Sequence, residues 1–171
     1  IANFETWLGK DIPIVRAMPN TAALIGCSAS ALFANAFVTS AQHQLAEAIL
    51  KAVGIVVWVN EEKQMDTVTS LSGNGPAYFF LLIEMLENAA EKLGLEKSIA
   101  HQLATQTALG AARLARETNE AASELRRKVT SPGGTTETAI RSLEENNIRE
   151  IFFNALKNSN QRAEELAKLF K

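Results

Sequence analysis

The stretch GIVVWVNEEKQMDTVTSLSGNGPAYFFLLIEML, Gly54–Leu86, marks a change in the kind of structure that the sequence predicts. The run GIVVWV is rich in β-branched and aromatic residues and is typical of a short strand. From Glu61 onward the apolar residues recur at helical spacing instead. We therefore expect an α/β part before residue 61 and an all-helical part after it, in a chain that is mainly α.

Upstream of Gly54, two further runs are prone to form strands, PIVRAMP and ASALFANAFV. The segment SAQHQLAEAILKAVG lies between the second of these and GIVVWV and has helical spacing of its apolar residues. Ser40 is the expected N-cap of this helix, and Gly54 is the expected stop at its C-terminal end. The sequence thus predicts a strand-helix-strand unit.

Downstream of Glu61, proline and glycine predict where the helices break. Pro76 suits the first turn of one helix, Gly94 ends it, and Ser98 lies near the start of the next. The last helix is expected to begin at about Ile148. The run AYFFLLIEML is apolar on nearly all faces, so it must be covered either by other helices of the chain or by a partner chain.

Composition excludes several classes of function. The chain has 171 residues, 47% of them hydrophobic and 21% charged, which is enough for one globular domain or two small ones. A net charge of −2 without a long basic cluster argues against nucleic-acid binding, and no apolar run has membrane length. We expect a cytoplasmic protein. His43, His101 and Cys27 lack partners at ligand spacing, so neither a metal site nor a cysteine nucleophile is expected.

The segment KVTSPGGTTETAI, Lys128–Ile140, places two glycines directly before a helix. One interpretation is a helix entrance in which the hydroxyl of Thr135 or Thr136 caps the helix, with Glu137 in the first turn favouring the helix dipole. The other is a site where backbone N–H groups at the positive end of the helix hold a carboxylate or phosphate. The two interpretations are compatible.

Two other segments also allow a structural and a functional interpretation. LSGNGPAYFF is either a tight turn between helices or a place where Gly73 and Gly75 let the backbone approach a ligand. VRAMPNT is either a strand followed by a turn or part of the sheet edge where α/β proteins bind their ligands.

Taken in order, VRAMPNT, SLSGNGPAYFFLLIEML, QTALGAARL and LRRKVTSPGGTTETAIRSLE closely resemble pyrroline-5-carboxylate reductase. The resemblance implies that residues 1–60 are the end of a Rossmann-type dinucleotide-binding domain and that residues 61–171 form an all-helical dimerisation and substrate-binding domain. The glycine-rich fingerprint of the family's first domain is absent from this sequence, which begins with Ile1. We therefore expect the natural polypeptide to extend roughly 100 residues upstream and to contain that fingerprint.

The resemblance implies reduction of 1-pyrroline-5-carboxylate to proline with NADPH or NADH, by a homodimer or higher homo-oligomer. Thr136 would face the ring nitrogen, first orienting the substrate and second relaying a proton. The other substrate-binding residues implied are Ser131, Gly133, Gly134 and Thr135 around the carboxylate, and Glu62 near the amine. The residues implied at the nicotinamide end of the cofactor are Met18, Pro19, Asn20, Ser72, Gly73, Gly75 and Pro76.

The chain departs from the common family pattern at three positions. Ala22 stands where proline is common, Asn74 where serine is common, and Lys128 where asparagine is frequent. These departures concern loop shape and one cofactor contact. Two alternatives stay open: a related two-domain dehydrogenase acting on a hydroxy acid or another imine, and a helical dimerisation module without catalytic activity.

Overall fold

A mixed β-sheet organises the N-terminal part of the chain in the computed structural model, which describes residues 1–169. Strand β1 (Val15–Met18) pairs antiparallel with β2 (Ser28–Ala34), and β2 pairs parallel with β3 (Gly54–Trp58). Helix α2 (Ser40–Lys51) connects the two parallel strands. The predicted strand-helix-strand unit is therefore present, because a parallel pair needs a crossover connection.

The remaining elements are helical, which confirms the mainly α fold class with a short α/β part. A short 3-10 helix (Thr21–Ile25) and a π-helical segment (Thr69–Gly73) interrupt the α-helices. The other α-helices are α1 (Ala2–Leu8), α3 (Gln64–Val68), α4 (Gly75–Lys92), α5 (Lys97–Glu117), α6 (Ala122–Lys128), α7 (Thr135–Glu145) and α8 (Ile148–Leu169).

The chain divides into two compact units. The first contains residues 1–77 and the chain from Asn154 onward, and the second is Tyr78–Phe153. Helices α4 and α8 each contribute residues to both units. The predicted domain boundary near residue 60 stays a prediction that rests on the family resemblance.

Two details of the strand-helix-strand unit differ from the prediction. The N-cap of α2 is Thr39, not Ser40, because Thr39 forms a reciprocal capping box with Gln42. Thr39 N donates to Gln42 Oε1 at 2.9 Å, and Gln42 N donates to Thr39 Oγ1 at 3.3 Å. Gly54 does not stop the helix but begins β3, opposite Ser28 of β2.

The core of the first unit is built around β2. Ala31 and Leu32, which are consecutive in β2 and so face opposite sides of the sheet, are fully buried, as are Met65 and several hydroxyl side chains. Ser28 and Ser30 share a hydrogen bond of 3.0 Å between their Oγ atoms, so the buried hydroxyls are satisfied within the protein. Ser28 also lies next to the loop that follows β1, because its Oγ accepts from Asn20 N.

After β3, the helices break where proline and glycine predicted. Pro76 is the second residue of α4, which ends before Gly94, and α8 begins at Ile148 as expected. Helix α5 begins one residue before Ser98, and its N-cap is Glu96, whose carboxylate accepts from Ser98 N at 3.0 Å. A carboxylate at this position also suits the positive end of the helix.

Among residues 1–169, the apolar side chains of helix α4 are exposed over much of their surface. Phe79 is 61% exposed and Phe80 is 66% exposed, and Leu81, Leu82, Met85 and Leu86 are exposed as well. A patch of this kind marks an interaction surface. The sequence analysis left two ways to cover AYFFLLIEML, by other helices of the chain or by a partner chain. Within residues 1–169, cover by other helices is incomplete.

Candidate functional site

The π-helical segment Thr69–Gly73 lies between α3 and α4, where a tight interhelical turn was one interpretation of LSGNGP, and Gly75 and Pro76 already belong to α4. The wide turn of the π-helical segment closes through Asn74 N, which donates to Thr69 O at 2.8 Å. The hydroxyls of Thr69 and Ser72 donate to the backbone carbonyls four residues earlier, at 2.8 and 3.2 Å. π-Helical turns inside helices occur frequently at functional sites.

The loop after β1 meets this π-helical segment, so the structure brings together two segments that the resemblance places at the cofactor. Asn20 Nδ2 donates to Ser72 O at 2.9 Å. The Cε of Met18 lies 2.5 Å from the position that a Cβ on Gly73 would occupy, so a larger residue there would require the end of the Met18 side chain to move. Met18, Asn20, Ser72 and Gly73 therefore form one surface at the carboxyl end of β1.

Asn20 is held in place by two further contacts. Its backbone N–H donates to Ser28 Oγ at 3.2 Å, and its Oδ1 accepts from Ala22 N at 3.2 Å. The second bond makes Asn20 the N-cap of the 3-10 helix. Its Nδ2 donates to Ser72 O, so these hydrogen bonds decide which side of the amide carries the nitrogen and which the oxygen. Ala22, which stands where the resemblance has proline, thus provides a backbone N–H that proline would lack.

The other predicted cofactor residues flank the same segment. Pro19 precedes Asn20, Gly75 is buried as the first residue of α4, and Pro76 follows it. The departure at Asn74 also has a structural role, because its Nδ2 donates to Ser159 Oγ of α8 at 2.8 Å. Sequence reasoning missed Ser159, which lies 85 residues away in the chain.

Glu62 lies between β3 and α3, in the first unit. Its Oε1 is 3.3 Å from Arg16 Nη1 of β1, and the same guanidinium is 3.7 Å from Asp66 Oδ1. Glu62 is thus a partly exposed carboxylate paired with the guanidinium of Arg16, and its assignment near the substrate amine stays a prediction.

The SPGGTT segment folds as a tight turn that leads into α7. Gly134 N donates to Ser131 O at 3.0 Å, and Gly133 has φ 72°. Proline followed by a residue with positive φ is the arrangement of a type II turn, which explains Pro132 and Gly133. Gly134 is then the N-cap of α7.

The expected cap by Thr135 or Thr136 is wrong. Both residues lie inside the first turn of α7, whose N-cap is Gly134 without a side-chain hydrogen bond. The turn at Pro132–Gly133 places the glycine, not a threonine, at the capping position. In the part of the chain that the structure describes, the hydroxyls of Ser131, Thr135 and Thr136 have no hydrogen-bond partner, so they are available to a ligand.

Glu137 makes a contact that sequence reasoning did not identify. Its Oε2 accepts from Gly133 N at 2.7 Å, across the mouth of the helix. The sequence analysis placed Glu137 in the first turn, which is correct, but assigned it only an effect on the helix dipole. The available signal was its position three residues after the N-cap, from which Glu side chains reach back to backbone N–H groups.

An ion-pair cluster ties together the helices on both sides of this turn. Glu144 of α7 accepts from Arg126 of α6 at 3.2 Å and from Arg149 of α8 at 2.6 and 2.7 Å. Arg149, and to a smaller extent Arg126, lowers the pKa of Glu144. Lys128, the third departure, is the last residue of α6, and its Nζ lies 2.5 Å from Glu120 Oε2. The second unit therefore holds the turn between anchored helices.

Within residues 1–169, no group of three or more His, Cys, Asp or Glu side chains lies where it could hold a metal ion. None of the helices there is sufficiently long and apolar to cross a membrane. His43 instead stacks on Trp58, with ring centroids 3.8 Å apart, and His101 Nδ1 lies 2.8 Å from Glu87.

Comparison with known proteins identifies the family. Residues 62–166 match the family described as pyrroline-5-carboxylate reductase dimerisation. The chain belongs to the pyrroline-5-carboxylate reductase family. A pyrroline-5-carboxylate reductase of Pseudomonas aeruginosa is 51% identical over 166 residues, which cover 97% of this chain and 61% of that protein. One of Mycobacterium tuberculosis is 43% identical, with 97% of this chain and 62% of that protein covered.

Solved structures of pyrroline-5-carboxylate reductases have the same fold. The enzyme of Coxiella burnetii has a TM-score of 0.92 at 54% identity and is matched over 95% of this chain and 60% of its own. The Plasmodium falciparum enzyme, described with NADP bound, has a TM-score of 0.87 at 32% identity, over 95% of this chain and 65% of its own. The chain thus spans about three fifths of the length of the curated relatives it matches.

Proposed function

We propose that the complete protein reduces 1-pyrroline-5-carboxylate to proline with NADPH or NADH. Membership of the reductase family over residues 62–166 carries this proposal. In the reaction a hydride adds to the carbon of the C=N bond, and a proton is taken up by the nitrogen. The reduced nicotinamide, when bound, supplies the hydride, and the residues of this chain position the reacting groups.

The surface formed by Met18, Asn20, Ser72 and Gly73 suits the nicotinamide end of such a cofactor. It lies at the carboxyl end of β1, beside the first residue of β2, and the family resemblance assigns these residues to the cofactor. Gly75 is buried, but a Cβ on it would meet no atom within 4 Å, so there is unfilled space beside its Cα. We propose that these residues, with Pro19 and Pro76, border the nicotinamide.

The turn before α7 suits the substrate carboxylate. The N–H groups at the start of α7 point toward the positive end of the helix, and no side chain caps them. The free hydroxyls of Ser131 and Thr135 add two donors. We propose that these groups, with Gly133 and Gly134, hold the carboxylate.

Thr136 has the chemistry to contact the ring nitrogen. It lies in the first turn of α7, and its hydroxyl is both a donor and an acceptor. A neutral threonine is a weak acid, so we assign it to orientation of the ring first and to proton relay second. Glu62 is retained as a proposed residue near the substrate amine.

The test of the proposed function uses the complete protein with its upstream domain. We expect oxidation of NADPH or NADH that depends on added 1-pyrroline-5-carboxylate, with proline as the product. Loss of the reduced-nicotinamide absorbance measures the rate, and chromatography identifies proline. Absence of this activity in a folded protein that binds the cofactor would favour the hydroxy-acid or imine alternative. Absence of cofactor binding would favour a non-catalytic module.

We propose that a second copy of the chain covers the exposed face of α4. The matched family is described as a dimerisation family, and Phe79, Phe80 and Leu82 of α4 are exposed in the single chain. Stable homodimers bury large and strongly apolar surfaces. A partner copy with the same apolar face satisfies this requirement.

Replacing Phe80 by glutamate is expected to convert the dimer into monomer or aggregate, because the interface would have to bury an unpaired carboxylate. Light scattering after size-exclusion chromatography measures the mass. Phe80→Leu is the matched control, since it keeps an apolar side chain and should stay dimeric. A monomeric parent chain, or an unchanged dimer in Phe80→Glu, would contradict the proposed interface.

A further inference from the structure

The turn before α7 already holds a carboxylate in this structure. Glu137 Oε2 accepts from Gly133 N at 2.7 Å, the length of a charge-assisted hydrogen bond. Gly133 belongs to the turn that the proposed function assigns to the substrate carboxylate. A negative charge from the protein itself therefore occupies one of the donors that the substrate needs.

We propose that Glu137 sets the affinity of this site by competing with the carboxylate of the substrate. The inference rests on the proposed function and concerns that same turn. While Glu137 accepts from Gly133, that N–H is not available to the ligand. A substrate carboxylate bound at the neighbouring N–H groups of α7 is also repelled by the charge of Glu137. Both effects weaken binding of an anionic ligand.

The turn does not depend on Glu137 for its shape. The hydrogen bond from Gly134 N to Ser131 O closes it, and the ring of Pro132 fixes one of its dihedral angles. Glu144 holds the helices on both sides through Arg126 and Arg149. The turn should therefore persist when Glu137 releases Gly133 N.

Glu137 is also free to leave its position. Its side chain is only partly buried, so it can turn toward solvent when a ligand carboxylate arrives. Proline carries the same carboxylate as 1-pyrroline-5-carboxylate. The return of Glu137 to Gly133 N therefore opposes rebinding of product as well as binding of substrate, and it acts on both ligands in the same sense.

The experiment measures steady-state kinetics of the complete enzyme with Glu137→Gln and Glu137→Ala. Glutamine keeps an acceptor for Gly133 N but removes the charge, whereas alanine removes both. We expect KM for 1-pyrroline-5-carboxylate and the inhibition constant of proline to fall together by about three- to tenfold, with alanine showing at least the effect of glutamine. KM for the cofactor should not change.

Glu145→Gln is the matched control. It removes one carboxylate from the exposed opposite end of α7 and should leave both constants unchanged. Thermal unfolding of each variant checks that the fold is kept. A rise in KM, larger for alanine than for glutamine, would show that Glu137 supports the turn and would overturn the proposal. Unchanged constants would also overturn it. A parent enzyme without turnover would instead refute the proposed function.

Discussion

Replacing Gly54 by alanine is expected to lower the free energy of unfolding by about 3 kcal/mol or more. A Cβ at this position would lie 2.1 Å from Ser28 O and 2.4 Å from Ser28 N. These are backbone atoms of the neighbouring strand β2, and Ser28 is buried, so neither strand can move aside without breaking the parallel pairing. Urea denaturation followed by circular dichroism measures the change.

Gly26→Ala is the matched control for this prediction. Both glycines have a positive φ, 155° at Gly54 and 70° at Gly26, but a Cβ on Gly26 would meet no atom within 4 Å. We expect it to cost only about 1 kcal/mol, the penalty of a left-handed backbone conformation for alanine. The difference between the two variants isolates the clash with β2. Equal losses in both variants would contradict the steric explanation.

Thr136→Ala in the complete enzyme is expected to lower kcat/KM for 1-pyrroline-5-carboxylate by about tenfold or more, since each ~1.4 kcal/mol of lost transition-state stabilisation is a factor of ten. The Thr136 hydroxyl caps no helix and has no partner in residues 1–169, so the fold should be unaffected. Thr136→Ser should recover much of the rate because it restores the hydroxyl. Steady-state kinetics and thermal unfolding provide the measurements.

Ser142→Ala is the control for the loss of a hydroxyl from the same helix. Ser142 lies two turns further along α7, away from the SPGGTT turn, and its replacement should leave kcat/KM within a factor of about two. If Thr136→Ala retained the kcat/KM of the parent enzyme, SPGGTT would be a helix entrance without a role for this hydroxyl.

Element type and order could be predicted from the sequence because they depend on local patterns. β-Branched runs predicted the three strands, and proline or glycine predicted the helix breaks. The errors at the two ends of α2 arose because more than one residue, or more than one role for a residue, fits the local pattern. Thr39 and Ser40 are both good caps, and the spacing to Gln42 decides between them. Gly54 follows a helix as a stop signal would, but the register of the sheet requires glycine there.

The candidate site was predictable only in part. The resemblance pointed to the SGNGP and SPGGTT segments, but periodicity could not reveal that Thr69–Gly73 forms a π-helical turn. Nor could it show that Arg16 faces Glu62, because these residues are 46 positions apart and meet only through the sheet. The contact of Glu137 with Gly133 required knowledge of which residue caps α7.

The hydrogen bond from Ala22 N to Asn20 Oδ1 couples these two positions physically. A proline at position 22, common in the family, has no N–H, so the Asn20 oxygen would lose this donor. The side-chain amide of Asn20 would then keep only the bond from its Nδ2 to Ser72 O. Substitutions at the two positions should accordingly be non-additive, and a family member with proline must orient the same asparagine through a different neighbour.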